Sequence, residues 1–369
     1  LHALMPFIPV PQVTLPIGIS FFTFQGLSYV IDVSRDDAAV QKNPLKLALY
    51  ISFFPQLVAG PIVRYTTVAD EIDERHESVS EFSAGAVRFL FGLAKKMLLA
   101  NAVAQVADAA FSAVSPSVAL AWLGAVAYTF QIYFDFSAYS DMAIGLGRMF
   151  GFHFLENFNY PYVSRSITEF WRRWHISLST WFRDYVYIPL GGNRCSKAHN
   201  ILNLFIVWFL TGMWHGASWN FVLWGLYFGA IIMLEKYTIV KIQDRIPGFI
   251  LHIYSLFIIV FGWVIFYFTD ISRMGGFIGI LFGGGASGWN LVAQNELTGN
   301  LWLIIAGIVC CLPIGKGIRS IYEKAAYDGS AGAEVLLTGA KTLCAAALLV
   351  SCTLLLIGST TNPFLYLRF

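Results

Sequence analysis

The chain has 369 residues, of which 57% are hydrophobic, 16% aromatic and only 12% charged, and its formal net charge is +2. A soluble domain carries about 25% charged residues, so this composition excludes an ordinary soluble protein and predicts an all-α, polytopic membrane protein in a single domain over 1–369. The near balance of charge gives no ground for a nucleic-acid partner.

In chain order, a Pro-rich lead-in (Pro6, Pro9, Pro11) comes first, with neither an initial Met nor a basic leader. The chain is therefore expected to open inside a structured region, with further N-terminal spans ahead of it. Leu15 to Val33 is the first apolar segment. Pro44 to about Val58 is the second, broken at Pro55 and the turn Ala59-Gly60-Pro61. Arg64 and the charged stretch Asp70 to Glu81 are expected in water. Ser83 to Phe111 reads as a helix, and its adjacent Lys95 and Lys96 mark a membrane exit or a snorkelling position. Val118 to Phe150 carries Asp135 and Asp141, six apart and on opposite sides of a straight helix. They are expected either to brace neighbouring helices or, for one of them, to line a cavity shared with histidines.

Asn200 to Tyr237 is predicted as a helix pair broken near Gly212 to Ser218. Gly212 and Gly216, like Gly225 and Gly229, have the spacing that lets helices approach closely. Phe249 to Phe268, Leu301 to Leu312 and Leu336 to Gly358 are further spans, and Gly275 to Gly288 is re-entrant or a loop. At ~20 residues per crossing this amounts to about eight or nine segments. The five cysteines have no metal-ligand spacing and no metal is expected. There is no internal repeat, which counts against an inverted-repeat transporter.

The most informative stretch is Asn157 to Phe221. Ser166 followed by Glu169 is a capping box, so a helix is predicted to start there. Arg172, His175, Ser179 and Arg183 would share one face of it, opposite Ile167, Phe170, Trp171, Trp174, Leu178, Trp181 and Tyr185. His215 lies in a small turn among glycines. From Asn200 to Leu234 the only other ionisable group is Tyr227, and an ionisable side chain in an apolar span is a functional candidate. No G-x-S-x-G elbow, H-E-x-x-H pair or P-loop is present. The residues by themselves lead to a membrane enzyme or transporter with a buried histidine site.

Three runs carry a resemblance: QIYFDFSAYSDMAIGLGRMFGF, ENFNYPYVSRSITEFWRRWHISLSTWFRDYVYIPLGGNR and LTGMWHGASWNFVLWGLYFG. They resemble the membrane-bound O-acyltransferase family, in its alginate O-acetyltransferase branch. SFFTFQGLSYVIDV and FFPQLVAGPIVR are similar to that branch as well. The resemblance is dense from about Leu15 to Arg194, good through Tyr227 and loose beyond.

The resemblance implies a ring of helices around a funnel in a bacterial cytoplasmic membrane, with His215 and His175 as catalytic residues near its narrow point. Asp135, Asp141, Trp214, Ser218 and Asn220 would line the cavity. No bound cofactor is implied: the acyl donor is a co-substrate, expected to be acetyl-CoA. Its acetyl group would pass to an extracytoplasmic polysaccharide through a partner of the SGNH-hydrolase-like type. Arg172, Arg173 and Arg183 are placed either to meet donor phosphates or to anchor at anionic lipid headgroups. Near the C-terminus, Phe364, Tyr366 and Phe369 are similar to the tail of the small partner peptide in teichoic-acid D-alanylation. That likeness makes Tyr366 a candidate acyl carrier, against the reading of an aromatic interfacial anchor. D-alanyl transfer to a cell-wall polymer is the rival enzyme reading, and a transporter of a lipid-linked sugar the rival of another class.

Overall fold

The computed structural model describes residues 18–327, 331–358 and 364–365, and among these there are helices and no strand. In chain order they are α1 (Ile19–Ser34), α2 (Pro44–Ser52), α3 (Tyr65–Glu74), α4 (Val79–Ser112) and α5 (Val118–Met149). Two short helices follow, α6 (Ile167–Arg173) and α7 (Ile176–Phe182), then the hairpin α8 (Lys197–His215) and α9 (Trp219–Tyr237). The last group is α10 (Gly248–Tyr267), α11 (Ile271–Leu281), α12 (Leu291–Gly299), α13 (Leu301–Cys310), α14 (Ile314–Tyr327) and α15 (Ala331–Ile357).

Among the described residues, α4, α5, α10 and the Val335–Ile357 part of α15 are long and apolar enough to cross a membrane. That is fewer than the eight or nine segments that apolar runs alone predict. Several runs fold as shorter helices. The second is a nine-residue α2, ended by the 3₁₀ turn Phe54–Gln56 around Pro55; at 1.5 Å per residue it reaches about 14 Å. The glycine-rich stretch after Gly275 divides into the end of α11 and an irregular loop.

The antiparallel pair α4 and α5 forms the spine. Gly85 and Gly92 on α4 face Gly145 and Ala138 on α5, and a Cβ on Gly92 would lie 2.8 Å from the Ala138 carbonyl oxygen. Only glycine permits that approach. The two backbones being so close, charges midway along α4 meet acids on α5. At Lys95–Ala100 the helix loosens into a π turn, a rare element that frequently marks functional sites. Lys96 Nζ lies 2.5 Å from Asp135 Oδ1, both almost fully buried. Lys95 pairs with Asp141, which also takes Arg88; Arg88 in turn reaches Glu156 in a bidentate pair. The two lysines are therefore paired across the helix contact. Each finds an acid on the neighbouring helix, at lower cost than stretching a charge out of the bundle.

Removing one member of a buried pair strands the other. Lys96→Met is expected to destabilise the protein by about 3–5 kcal/mol, and Lys96→Met with Asp135→Asn to recover most of that loss, read from thermal unfolding in detergent.

Candidate active site

The stretch carrying His175 is two short helices at an angle. Ser166 caps α6 as expected, its hydroxyl accepting from Glu169 N–H at 3.0 Å. The reciprocal arm differs: Glu169 reaches back to Arg165 N–H at 3.0 Å. The expected continuous helix ends at Arg173, because His175 takes a left-handed backbone conformation, φ 44° and ψ 55°. This conformation is uncommon for a residue with a Cβ, and His is among those that tolerate it better. The single cationic face running from Arg172 to Arg183 is therefore not formed.

What holds the break is Asn157. Its main-chain oxygen accepts from Ile176 N–H at 2.9 Å and its side-chain oxygen from Ser177 N–H at 3.1 Å. The same side-chain oxygen lies 3.2 Å from His175 Nδ1. Upstream, Glu235 of α9 is 1% exposed and takes the free amides at the start of α6, Ile167 N–H at 2.6 Å and Thr168 N–H at 2.8 Å. A carboxylate there also suits the positive end of a helix.

His215 is the last residue of α8. Its ring is surrounded by Trp214, Trp224, Phe266 and Phe221 at centroid distances of 4.7, 4.9, 5.0 and 6.2 Å. The turn among glycines is real, yet the imidazole is caged by aromatic rings rather than loosely set in it. The hairpin that presents it packs through glycines: a Cβ on Gly225 would lie 2.3 Å from the Trp208 carbonyl oxygen, and one on Gly212 2.4 Å from that of Phe221.

Both histidines open onto one cavity of about 50 Å³, whose walls are Ile132, Phe136, Trp171, Trp174, Leu178, Thr211, Trp214, Trp224, Trp263 and Phe266, with Asp135 and Leu365. The Trp214 ring bridges the pair, 6.2 Å from His175 and 4.7 Å from His215. A single water needs about 10–15 Å³ on this measure, so the cavity takes a group of a few heavy atoms and no more. Two larger cavities include Ile176, the residue after His175. One, of about 290 Å³, includes Arg64, Ser177, Thr180, Arg183 and Asp184. The other, of about 780 Å³, includes Arg88, Lys95, Tyr133, Asp141, Glu156 and Tyr160.

Of the residues expected to line the histidine cavity, Asp135 and Trp214 do, and Asp141 lies in the larger groove instead. Ser218 and Asn220 do not line it. The Ser218 hydroxyl and the Asn220 amide turn to the carbonyls of Thr269 and Phe266, at 3.4 and 2.9 Å, and so tie the start of α9 to the end of α10. Arg173 is held by Glu169 and the Asn159 carbonyl, while the Arg172 side chain is exposed. Arg183 reaches a cavity, together with Arg64, and both bind Asp184 at 2.6 and 2.7 Å. Burial pushes the Asp184 carboxyl up, but its hydrogen bonds from Arg183 and Arg64 outweigh this and hold it below the usual carboxylate range. With Glu156 on the same wall, the cavity sets two guanidiniums against two carboxylates. Tyr366 lies outside the described residues. Its neighbour Leu365 donates its N–H to Asp135 at 2.7 Å, and the Phe364 ring packs on Tyr139 and under Lys96.

Sequence reasoning missed Asn157, Arg64 and the Lys96–Asp135 match. The two lysines and two aspartates in apolar runs were the available signal for the last, since charges buried in apolar segments pair with one another. Nothing in the sequence joined Asn157 to a histidine eighteen residues later.

Comparison with known proteins adds a family. Residues 18–275 match the membrane-bound O-acyltransferase family. The chain is 44% identical over 335 residues to the probable alginate O-acetylase AlgI of Pseudomonas syringae pv. tomato, covering 90% of this chain and 64% of that protein. It is 36% identical over 283 residues to the peptidoglycan O-acetyltransferase of Helicobacter pylori, covering 68% and 54%. It is 31% identical over 251 residues to the teichoic acid D-alanyltransferase of Bacillus subtilis, covering 63% of each. The chain thus spans somewhat over half the length of these relatives.

Because the α8–α9 contact is backbone against backbone, Gly225→Val is expected to force the hairpin open and cost about 1–3 kcal/mol, seen as a lowered unfolding temperature in detergent. An unchanged unfolding temperature would contradict the packing described.

Proposed function

The chain belongs to the membrane-bound O-acyltransferase family, and on that premise we propose that it is an O-acetyltransferase serving an extracytoplasmic polysaccharide such as alginate. The observation that carries the reading is the meeting of His175 and His215 on one small, aromatic-walled cavity, with two cavities of charged lining at Ile176, the residue after His175. A thioester is already activated, so transfer needs a base for the attacking hydroxyl and a site that holds the acyl carbon beside it. In the proposed step a histidine nitrogen takes the hydroxyl proton as oxygen attacks the thioester carbonyl. The C–S bond breaks, the ester forms, and the proton passes to the departing sulfur.

Donor and acceptor are assigned within the same proposal. The donor is acetyl-CoA from the cytoplasm, its phosphates meeting Arg64 and Arg183, since a guanidinium fork suits phosphate geometry. Arg172 and Arg173 are less well placed: one is exposed and the other engaged by Glu169. The acetyl group crosses the bacterial cytoplasmic membrane by way of the chain's own tail, with Tyr366 as carrier, and an SGNH-type partner completes transfer. Two observations support the tail: Leu365 is part of the cavity wall and its amide is bound by Asp135. A phenyl ester suits a relay, because a phenol with a pKa of about 10 is a better leaving group than an alkyl alcohol.

The cavity supports acetyl over D-alanyl transfer. An alanyl ammonium would need an acid, and the one carboxylate in the wall, Asp135, is already matched by Lys96. Its volume also counts against passage of a lipid-linked sugar.

The experiment is transfer from labelled acetyl-CoA in proteoliposomes with the partner and acceptor supplied. His215→Ala is expected to insert and stay folded while transfer falls on the order of 10²-fold or more, the share a general base contributes. His175→Gln, which keeps hydrogen bonding without the same basicity, should fall comparably. Tyr366→Phe should abolish transfer to polymer; a normal rate in that variant would make the tail an anchor, and normal rates in both histidine variants would remove the active-site assignment.

A further inference from the structure

We propose that Asn157 is the positioning residue that sets His175 in one tautomer, with the proton on Nδ1 and the lone pair of Nε2 directed into the histidine cavity. The inference rests on the acyl-transfer reading for its catalytic meaning, though not for its geometry.

Three groups converge on the Asn157 side-chain oxygen: Ser177 N–H at 3.1 Å, the Ser177 hydroxyl at 2.9 Å and His175 Nδ1 at 3.2 Å. A backbone amide can only donate, so the Asn157 atom facing it is the carbonyl oxygen and not the amide nitrogen. The Ser177 hydroxyl accepts from Ile62 N–H at 3.0 Å, and its own proton goes to the nearer Asn157 oxygen at 2.9 Å and not to His175 Nδ1 at 3.4 Å. The oxygen is thus surrounded by donors, and Nδ1 must carry a hydrogen to join them. A neutral imidazole has one N–H, so Nε2 is the acceptor. Asn157 is wholly buried, and His175 Nε2 is buried with no protein partner. The titratable groups sharing its cavity are His215 and Asp135, and Asp135 is engaged by Lys96 and the Leu365 amide.

The same residue also sets where the ring stands. With Ile176 N–H on its main-chain oxygen and Ser177 N–H on its side chain, Asn157 ties down the two amides that follow His175, and so the left-handed turn itself. In the transfer step Nε2 takes the hydroxyl proton while Nδ1–H stays on Asn157. The imidazolium then returns the Nε2 proton to the leaving sulfur, and the starting tautomer is restored.

Imidazole nitrogen NMR on the full chain, ¹⁵N-labelled at its seven histidines and assigned by difference with His175→Gln, tests the tautomer directly. A protonated Nδ1 with a bare Nε2 is expected; the opposite tautomer overturns the inference even where His175 proves essential. If His175→Gln is fully active while the expected tautomer is seen, the role of His175 as a base fails and the assignment of Asn157 stands. The kinetic arm is Asn157→Asp, which keeps the acceptor and adds a charge that favours the imidazolium. The acid limb of its pH–rate profile should move to higher pH, because the base is then lost to protonation earlier as pH falls. A merely structural Asn157 would leave the profile in place, and an active variant with an unmoved limb overturns the proposal. Asn157→Leu, lacking the acceptor, should lose on the order of 10²-fold in rate.

Discussion

Backbone amides and carbonyls cannot be left bare inside an apolar bundle, and the residues from Asn157 to Leu190 are too irregular to satisfy their own. The rest of the structure depends on how that is solved. Buried polar side chains on neighbouring segments supply what is missing. Glu235 on α9 takes the amides that open α6, and Asn157 takes those that open α7. Asn203 on α8 donates to the Leu190 carbonyl at 2.8 Å, and Asn200 to that of Gly192 at 2.6 Å. Each is an expensive group to bury, and each is offset by a backbone group that would otherwise be unpaired. A break in the helix at His175 is tolerable only because these partners stand around it.

The break has a consequence that a straight helix would not. A regular continuation from Ile167 would place His175 on the same face as Arg172 and Arg183, toward charge and water. The left-handed turn instead carries the imidazole into the aromatic shell, where it is 2% exposed and meets the Phe136 ring at 4.7 Å. Arg183 is left outside, at a cavity with Arg64. One backbone conformation thus separates a dry histidine from a wet cation, although they are eight residues apart in the same segment.

Helices, the hairpin at Gly212 to Ser218 and the enclosure of His215 in an apolar stretch were legible because each has a local cause. Apolar runs, glycine spacing and an ionisable group in an apolar stretch are read within a few residues. The pairing of Lys95 and Lys96 with Asp141 and Asp135 was not, since it needs the antiparallel register of α4 on α5 and a π turn that no short pattern announces. For Ser218 and Asn220 the resemblance implied a place in the cavity wall, whereas at the start of α9 they cross over to α10. The helix break was hidden by the capping box, which correctly marks a start and says nothing of how far the helix runs.

The Lys96–Asp135 pair links the spine to the site. Asp135 meets Lys96 through one carboxylate oxygen and accepts the Leu365 amide through the other, across 230 positions of sequence. A carboxylate so occupied presents little charge to the cavity it borders, which is otherwise walled largely by aromatic and aliphatic side chains. That matters for the chemistry proposed, because an activated acyl group is as open to water as to the intended hydroxyl. A cavity of about 50 Å³ with aromatic walls limits how many waters can stand beside it, and it strengthens every remaining electrostatic interaction within. Weakening the pair would therefore do more than loosen α4 on α5: it would bare a charge in the cavity wall and draw water to the one place where the site needs to be dry.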